Sequence, residues 1–539
     1  MVTTTAGKTA RSAEPALIRR RLLDARMMTA VTAYVFAIYS YIQPSGYSSI
    51  YKTTAERLAF ANSFGNSKGL RLLYGLPYDV ATVPGYAAWR VGGVLAIGAA
   101  IYGLLVGVRL TRGEEDSGRL ELVLAAPVGR ASVGVATLAA LGTGAVVLWV
   151  AELAGLAAGG VSVGGAAYLA LATATVVPVC AAVGALAGQL APSRGLALQL
   201  GGGTVAVLFL LRALADTVGG LGWLRWLTPL GWAELLRPFA GAQPAVLLVP
   251  IAATALLLAL AGRIAAGRDI GAGLLRERDR SEPRLRLLGS PFGLALRNQR
   301  GALIAWTGTL AAFSYLLGTI SKSVSPADVT KSVQREIAKL GTGSITTPTG
   351  YLSFLFSLLG VFVCVFVCTQ IGAARQEEAS QRLETVLAAP AGRRRWLAGR
   401  IALALLAAGA LALACGVPAW AGARTGGVHL GLGRSLEAGA NMLPITALFL
   451  GIAALAYAAA PRWSGPISYG VLALSYLWEL VGALTGAPRW LLDVTPFAHV
   501  GLVPNEPFRV IAALIMVAIA VVAGAVALEL FRRRDLVGE

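Results

Sequence analysis

The chain alternates long apolar stretches with short polar connectors. A helix that crosses a membrane needs about 20 mostly apolar residues. Twelve stretches have that length: 24–42, 89–108, 131–155, 164–190, 196–214, 244–262, 301–320, 351–373, 397–420, 438–460, 464–484 and 508–531. In lipid, backbone polar groups must be satisfied internally, so only helices and closed barrels span. The pattern therefore predicts an all-α polytopic membrane protein of about 12 transmembrane helices. Arg19, Arg20 and Arg21 precede the first stretch, but no A-x-A-like cleavage site follows, so it reads as a retained span.

The connectors repeat. Arg112 to Arg130 reads RGEEDSGRLELVLAAPVGR, and Arg375 to Arg393 reads RQEEASQRLETVLAAPAGR, fourteen of nineteen positions identical at an offset of 263. Two weaker echoes support the repeat. Thr228-Pro229 matches Thr495-Pro496, and Arg268-Asp269-Ile270 matches Arg534-Asp535-Leu536. The chain reads as two homologous six-span halves, 1–270 and 271–539, joined through a basic linker over 263–300. An even number of spans gives the halves one orientation, a parallel repeat about an axis along the membrane normal.

Composition narrows the class. Hydrophobic residues make up 56% and charged residues 14%, against roughly 25% charged in soluble domains. An ordinary soluble enzyme and a disordered chain are excluded. The net charge of +19 comes from 40 Arg and 6 Lys set against 27 acids. These cations sit in short connectors, which suits a bilayer partner and not nucleic acid. Thirty of the 46 lie in the N-terminal arm, connectors 109–132, 263–300 and 373–400, Arg194, Arg462 and the C-terminal tail. The positive-inside rule places those segments, and both termini, in the cytoplasm. Cys180, Cys364, Cys368 and Cys415 lie in apolar stretches without His or carboxylate companions, so they read as buried thiols and not as metal ligands. His429 and His499 are isolated in polar loops.

Leu120, Val123 and Leu124, repeated as Leu383, Val386 and Leu387, form the apolar stripe of a short amphipathic helix. Glu115–Arg119 and Glu378–Arg382 read as i,i+4 pairs on it, and Pro127 and Pro390 as its stops. A solvated loop helix is the plain reading; its duplication points to two copies of a docking partner.

Two spans, a cytoplasmic E-E-x-x-x-R-L-E-x-V-L-A-A-P helix and four more spans, with a Trp- and Pro-containing segment before the last, resemble the permease of ABC-2 type exporters. The fused form is similar to the actinobacterial branch associated with export of antibiotics and other drugs. The resemblance implies a bacterial plasma-membrane exporter of hydrophobic or amphipathic molecules, with lipid as another cargo. It implies that Glu114, Glu115, Arg119, Glu121 and Arg130 serve one ATP-binding subunit, and Glu377, Glu378, Arg382, Glu384 and Arg393 a second copy. It also implies a passage lined by the second and fifth spans of each half. Gly7-Lys8-Thr9 resembles the end of a phosphate-binding loop, but Val2 stands at the first Gly position. No cofactor is therefore expected on this chain. ATP and Mg belong to the partner, and the chain is a transport subunit and not an enzyme.

Charged residues inside spans are costly and mark function by default. Glu152, Arg212 and Glu479 are the three. Arg212 lies 16 residues before Thr228, and Glu479 lies 16 before Thr495, so they hold equivalent places. They read either as an ion pair latching a gate or as charges snorkelling to water. Glu152, with Cys415 at its equivalent place, suits contact with a cationic substrate. A proton-driven 12-span efflux transporter is the first alternative, but it calls for more buried acids than Glu152 and Glu479. A membrane glycosyltransferase calls for paired acids in the first outer loop, where Glu56 and Asp79 lie far apart.

Residues 10–26 read as an interfacial helix or as a basic flank, echoed over 295–306. Segments 216–243 and 485–507 read as short helical hairpins, with Trp226, Trp232 and Trp490 as interfacial anchors in the alternative. Thr54, Glu56 and Arg57 open a loop helix ended by Gly65. Ser325-Pro326 opens another, with Val329, Val333 and Ile337 on one face and Gly341 as its stop.

Overall fold

A computed structural model describes residues 3–64, 68–126, 128–275, 289–321, 347–388, 392–485, 490 and 493–536. Among these residues every regular element is helical. Eleven helices among the described residues are long and apolar enough to cross a membrane. The helix Ser464–Thr485 occupies the position of the remaining predicted span. Pro127, Pro390, Gly65 and the predicted helix over 325–341 lie outside the described residues.

Contacts divide the chain into Met1–Arg280 and Ser281–Glu539. The first unit contains the spans Glu14–Ile50, Val83–Asp116, Arg130–Ala158, Val163–Leu190, Arg194–Thr217 and Pro244–Ala266. The second contains Pro291–Thr319, Pro348–Ala379, Arg393–Thr425, Leu432–Ala459, Ser464–Thr485 and Val510–Arg533. Each unit uses the same neighbour order. The first span packs along the third, the second against the fourth, the fifth against both of those, and the sixth against the fourth. The second and fourth spans are the most enclosed in each unit.

Lipid tails are as apolar as leucine, so helices associate in a bilayer through close packing and not through the hydrophobic effect. Small residues set that closeness here. A Cβ on Gly103 would lie 2.4 Å from the Val177 carbonyl oxygen, and one on Gly107 2.3 Å from that of Ala181. These two glycines, four apart, let the second and fourth spans of the first unit meet backbone to backbone. Gly155 does the same for the first and third spans, its Cβ position lying 2.2 Å from the Ala37 oxygen. Gly422 repeats this in the second unit, 2.1 Å from the Tyr315 oxygen.

The interfacial helix expected over residues 10–26 is not a separate element. It runs without a break into the first span as one helix, Thr3–Ile50, 48 residues long. At 1.5 Å per residue that is about 72 Å, well beyond the hydrocarbon thickness. No glycine or proline interrupts the Ala16–Val35 stretch to let the chain bend. Residues 295–306 are likewise part of one helix, Pro291–Ile320.

The first loop helix forms over Thr54–Phe64. A capping box starts it. The Thr53 amide donates to Glu56 Oε2 at 3.0 Å, and the Glu56 amide donates to Thr53 Oγ1 at 3.3 Å. The Thr53 amide also holds the Glu56 carboxyl below its ordinary range. Its small contribution is therefore present above the unfolded carboxylate range and lost as pH falls through the lowered folded value.

Gly107→Leu should destabilise the first unit by about 1–3 kcal/mol through overpacking. Thermal denaturation of the purified protein in detergent checks this. Gly142→Leu, where a Cβ meets nothing within 4 Å, should leave the midpoint near the wild-type value.

Candidate functional site

The duplicated motif is jointed in both units. In the first, the helix Arg112–Asp116 ends, Gly118 adopts φ 69°, and a new helix runs over Arg119–Leu124. In the second, the second span continues to Ala379, Gln381 adopts φ 59°, and the helix Arg382–Ala388 follows. A left-handed residue cannot continue a right-handed helix. The Glu-Glu pair therefore stays with the second span, while the R-L-E segment forms a separate arm.

This overturns the expected i,i+4 pairs. Glu115 and Arg119 stand on different helices, as do Glu378 and Arg382. The acids turn into their own unit. Glu115 Oε1 lies 2.5 Å from Arg268 Nη2, and its other oxygen 3.2 Å from Arg112. Glu114 pairs with Arg21 at 3.2 Å. Arg112 also binds Asp116 at 2.8 Å and donates to the Pro192, Gly271 and Ala272 carbonyls. In the second unit Arg534 forks onto Glu378 at 2.8 and 2.7 Å, and Arg400 pairs with Glu377. Arg534 also lies over the Tyr457 and Phe531 rings at 5.1 and 5.0 Å. Glu114 and Glu378 are buried, at 4% and 3% exposure. The repeated motif and the weaker Arg-Asp-Ile/Leu echo are thus two sides of one contact. In each unit it ties the end of the second span to the end of the sixth.

The exposed face of each arm carries the rest. Arg119, Glu121, Arg382 and Glu384 are exposed. Val123 and Leu383 anchor the arms inward at 7% and 1% exposure. Arg130 is exposed, whereas Arg393 is half-buried and donates to the Arg534 carbonyl at 2.7 Å. Leu122, 76% exposed, was missed in the sequence. Its signal was an apolar residue lying off the Leu120–Val123–Leu124 stripe. Thr385 holds the equivalent exposed place.

The charges inside spans act as tethers within their units. Arg212, 2% exposed, contacts Glu234 at 3.1 Å and Asp216 at 3.6 Å and donates to the Leu72 carbonyl at 3.0 Å. Arg225 contacts Asp216 at 2.6 Å. These four side chains join the fifth span to the short helices Gly222–Leu227 and Pro229–Leu235 and to the loop helix Lys68–Tyr74. Glu479 accepts a 2.7 Å hydrogen bond from Thr495, which also caps Pro496–His499. Position 212 and position 479 therefore both hold the segment that follows the fifth span. Glu152 is enclosed at 1% exposure and accepts from Thr173 at 3.1 Å, so it is part of the third–fourth span packing. Trp232 is a core residue at 7% exposure, its indole donating to the Trp226 carbonyl at 2.6 Å; Trp226 and Trp490 are exposed.

Each unit is a bundle of spanning helices with a jointed polar arm at one end of its second span. A family model described as the multidrug efflux system permease Rv1217c, C-terminal domain, matches residues 78–265 and 288–532. The multidrug efflux system permease protein Rv1217c of Mycobacterium tuberculosis is 32% identical over 491 residues, covering 90% of this chain and 88% of that protein. The chain belongs to this permease family. It is a multi-pass membrane protein and a transport subunit.

Removing one partner of a buried ion pair strands the other, at a cost of about 3–5 kcal/mol. Glu378→Ala and Glu115→Ala should each lower the thermal midpoint accordingly. Leu122→Ala should leave it unchanged in the same denaturation assay.

Proposed function

We infer that this chain is the membrane-spanning permease of an ATP-driven multidrug exporter, moving hydrophobic or amphipathic molecules out of the cell. Two copies of an ATP-binding subunit dock on it, one on each arm, and they hold the ATP and Mg. Both termini and both arms lie on the cytoplasmic side of a bacterial plasma membrane, as the distribution of Arg and Lys supports.

The observation that carries this reading is the two-sided arm. Its inner side is anchored by Val123 in one unit and Leu383 in the other, and the span end from which it springs is fixed to the bundle by Glu115–Arg268 and Glu378–Arg534. Its outer side offers charge of both signs, which sets register on a partner, and in the first unit an exposed Leu122. A displacement of the arm is passed directly to the second and sixth spans because both are bonded at its root. The proton-driven alternative needs an acid open to the passage. Glu152 is enclosed and Glu479 is bonded to Thr495, which favours the ATP-driven reading. Val207, Leu210 and Leu214 are exposed on the fifth span and suit apolar cargo.

The test uses the permease co-purified with its ATP-binding subunit in liposomes. ATP should drive uptake of an amphipathic dye into inside-out vesicles. Leu122→Asp should lower that rate about ten-fold, as loss of roughly 1.4 kcal/mol at a docking surface does, with the thermal midpoint unchanged. Dye uptake driven by a proton gradient without ATP would contradict the reading.

A further inference from the structure

The first unit contains a pocket of about 340 Å³ beside its arm, walled by the third, fourth and sixth spans, with the end of the second span and Leu120 and Leu124 of the arm closing it. This volume is within the range of small-ligand sites. Val133, Leu138 and Leu141 form one wall, and Leu258, Ala261 and Ala265 the other. Leu138 is 48% exposed and Gly262 is exposed, so the pocket opens sideways between two lipid-facing spans.

The repeat shows what this space holds in the other unit. The offset of 263 carries Val133 onto Trp396 and Gly134 onto Leu397. The offset of 266, fixed by Arg268 and Arg534, carries Ala265 onto Phe531 and Gly262 onto Leu528. In the second unit Trp396 stacks on Phe531 at 5.5 Å and Tyr457 joins Phe531 at 5.5 Å. Trp396 and Phe531 are 1% and 0% exposed. The third and sixth spans pack directly there. In the first unit a bond from Arg130 Nη1 to the Ala265 carbonyl, 3.3 Å, bridges them across the pocket. One unit thus braces its arm with its own aromatic side chains, and the other keeps small residues and an apolar slot.

The rim carries charge of both signs. Arg21 and Arg268 line the pocket but are matched by Glu114 and Glu115. Asp269 is exposed on the same rim. Arg130 is exposed, and among the described residues no carboxylate lies within 4.0 Å of it. An apolar slot open to lipid, with one guanidinium at its polar end that no carboxylate pairs among the described residues, complements an acyl chain carrying an anionic head. We propose that an anionic phospholipid binds here, one acyl chain between the third and sixth spans and its phosphate on Arg130. The lipid replaces the aromatic brace of the second unit and sets the stiffness of the first arm. This site does not depend on what the transporter exports.

The experiment uses the full chain in phosphatidylcholine nanodiscs with a trace of phosphatidylglycerol carrying a photoactivatable group on one acyl chain. Labelling should fall in segments 133–141 and 258–265. Unlabelled phosphatidylglycerol should compete about five-fold better than phosphatidylcholine, the ratio expected of one arginine–anion contact at a membrane surface. Arg130→Ala should abolish that preference. Val133→Trp with Ala265→Phe copies the second unit and should cut labelling about ten-fold, as displacement of a few buried methylenes requires, without lowering the thermal midpoint. Equal competition by the two lipids, undiminished labelling in the filled variant, or stronger competition by an exported dye than by phosphatidylglycerol would overturn the proposal. If the filled variant does not fold, the Arg130→Ala competition decides alone.

Discussion

A buried carboxylate–guanidinium bridge at the root of each arm is the constraint on which the remaining architecture depends. Glu115 with Arg268, and Glu378 with Arg534, join the second span to the end of the sixth at a depth where an unpaired charge is costly. Buried ion pairs are poor sources of net stability, because desolvation offsets much of their attraction. Their value here is geometric. In the second unit the Arg534 fork on Glu378 fixes one orientation, and in the first Arg112 supports the Glu115–Arg268 contact by bonding three backbone carbonyls of the adjoining turns. The root from which each arm springs is thereby fixed to the bundle.

Around that root, the spans are positioned by small residues. Gly103 and Gly107 seat the second span on the fourth, and Gly155 seats the third on the first, each pair meeting backbone to backbone. Elsewhere, charges placed inside spans work as tethers. Arg212, Asp216, Arg225 and Glu234 neutralise one another while holding the hairpin that precedes the sixth span. Thr495 and Glu479 hold the corresponding segment in the second unit.

Much of this was legible in the amino-acid sequence, and the parts that were not have physical causes. Span positions follow from twenty-residue apolar windows, which few other structures tolerate. The duplication at Arg112 and Arg375 is explicit in the residues, and so was the Arg268/Arg534 echo. What the sequence did not reveal is that these two echoes touch, because a contact between positions 153 residues apart leaves no local pattern. The joint at Gly118 was readable as a glycine, but its counterpart Gln381 hid it, since glutamine carries no left-handed preference. Glu114, Glu115, Glu377 and Glu378 looked like surface charges on a helical face. The joint rotates them inward, leaving Leu122 as the exposed residue the pattern did not single out. Glu152 and Arg212 stood out by cost alone, and cost does not distinguish a packing contact from a passage.

The central claim is that each arm is the seat of an ATP-binding subunit. Photo-crosslinking from single sites at Leu122 and at Thr385, in membranes containing the co-expressed subunit, tests it most directly. The account predicts one crosslinked ATP-binding subunit from each site, with yields that change on addition of non-hydrolysable ATP. Crosslinks to lipid or water alone from both sites, with the subunit present and nucleotide saturating, would contradict it.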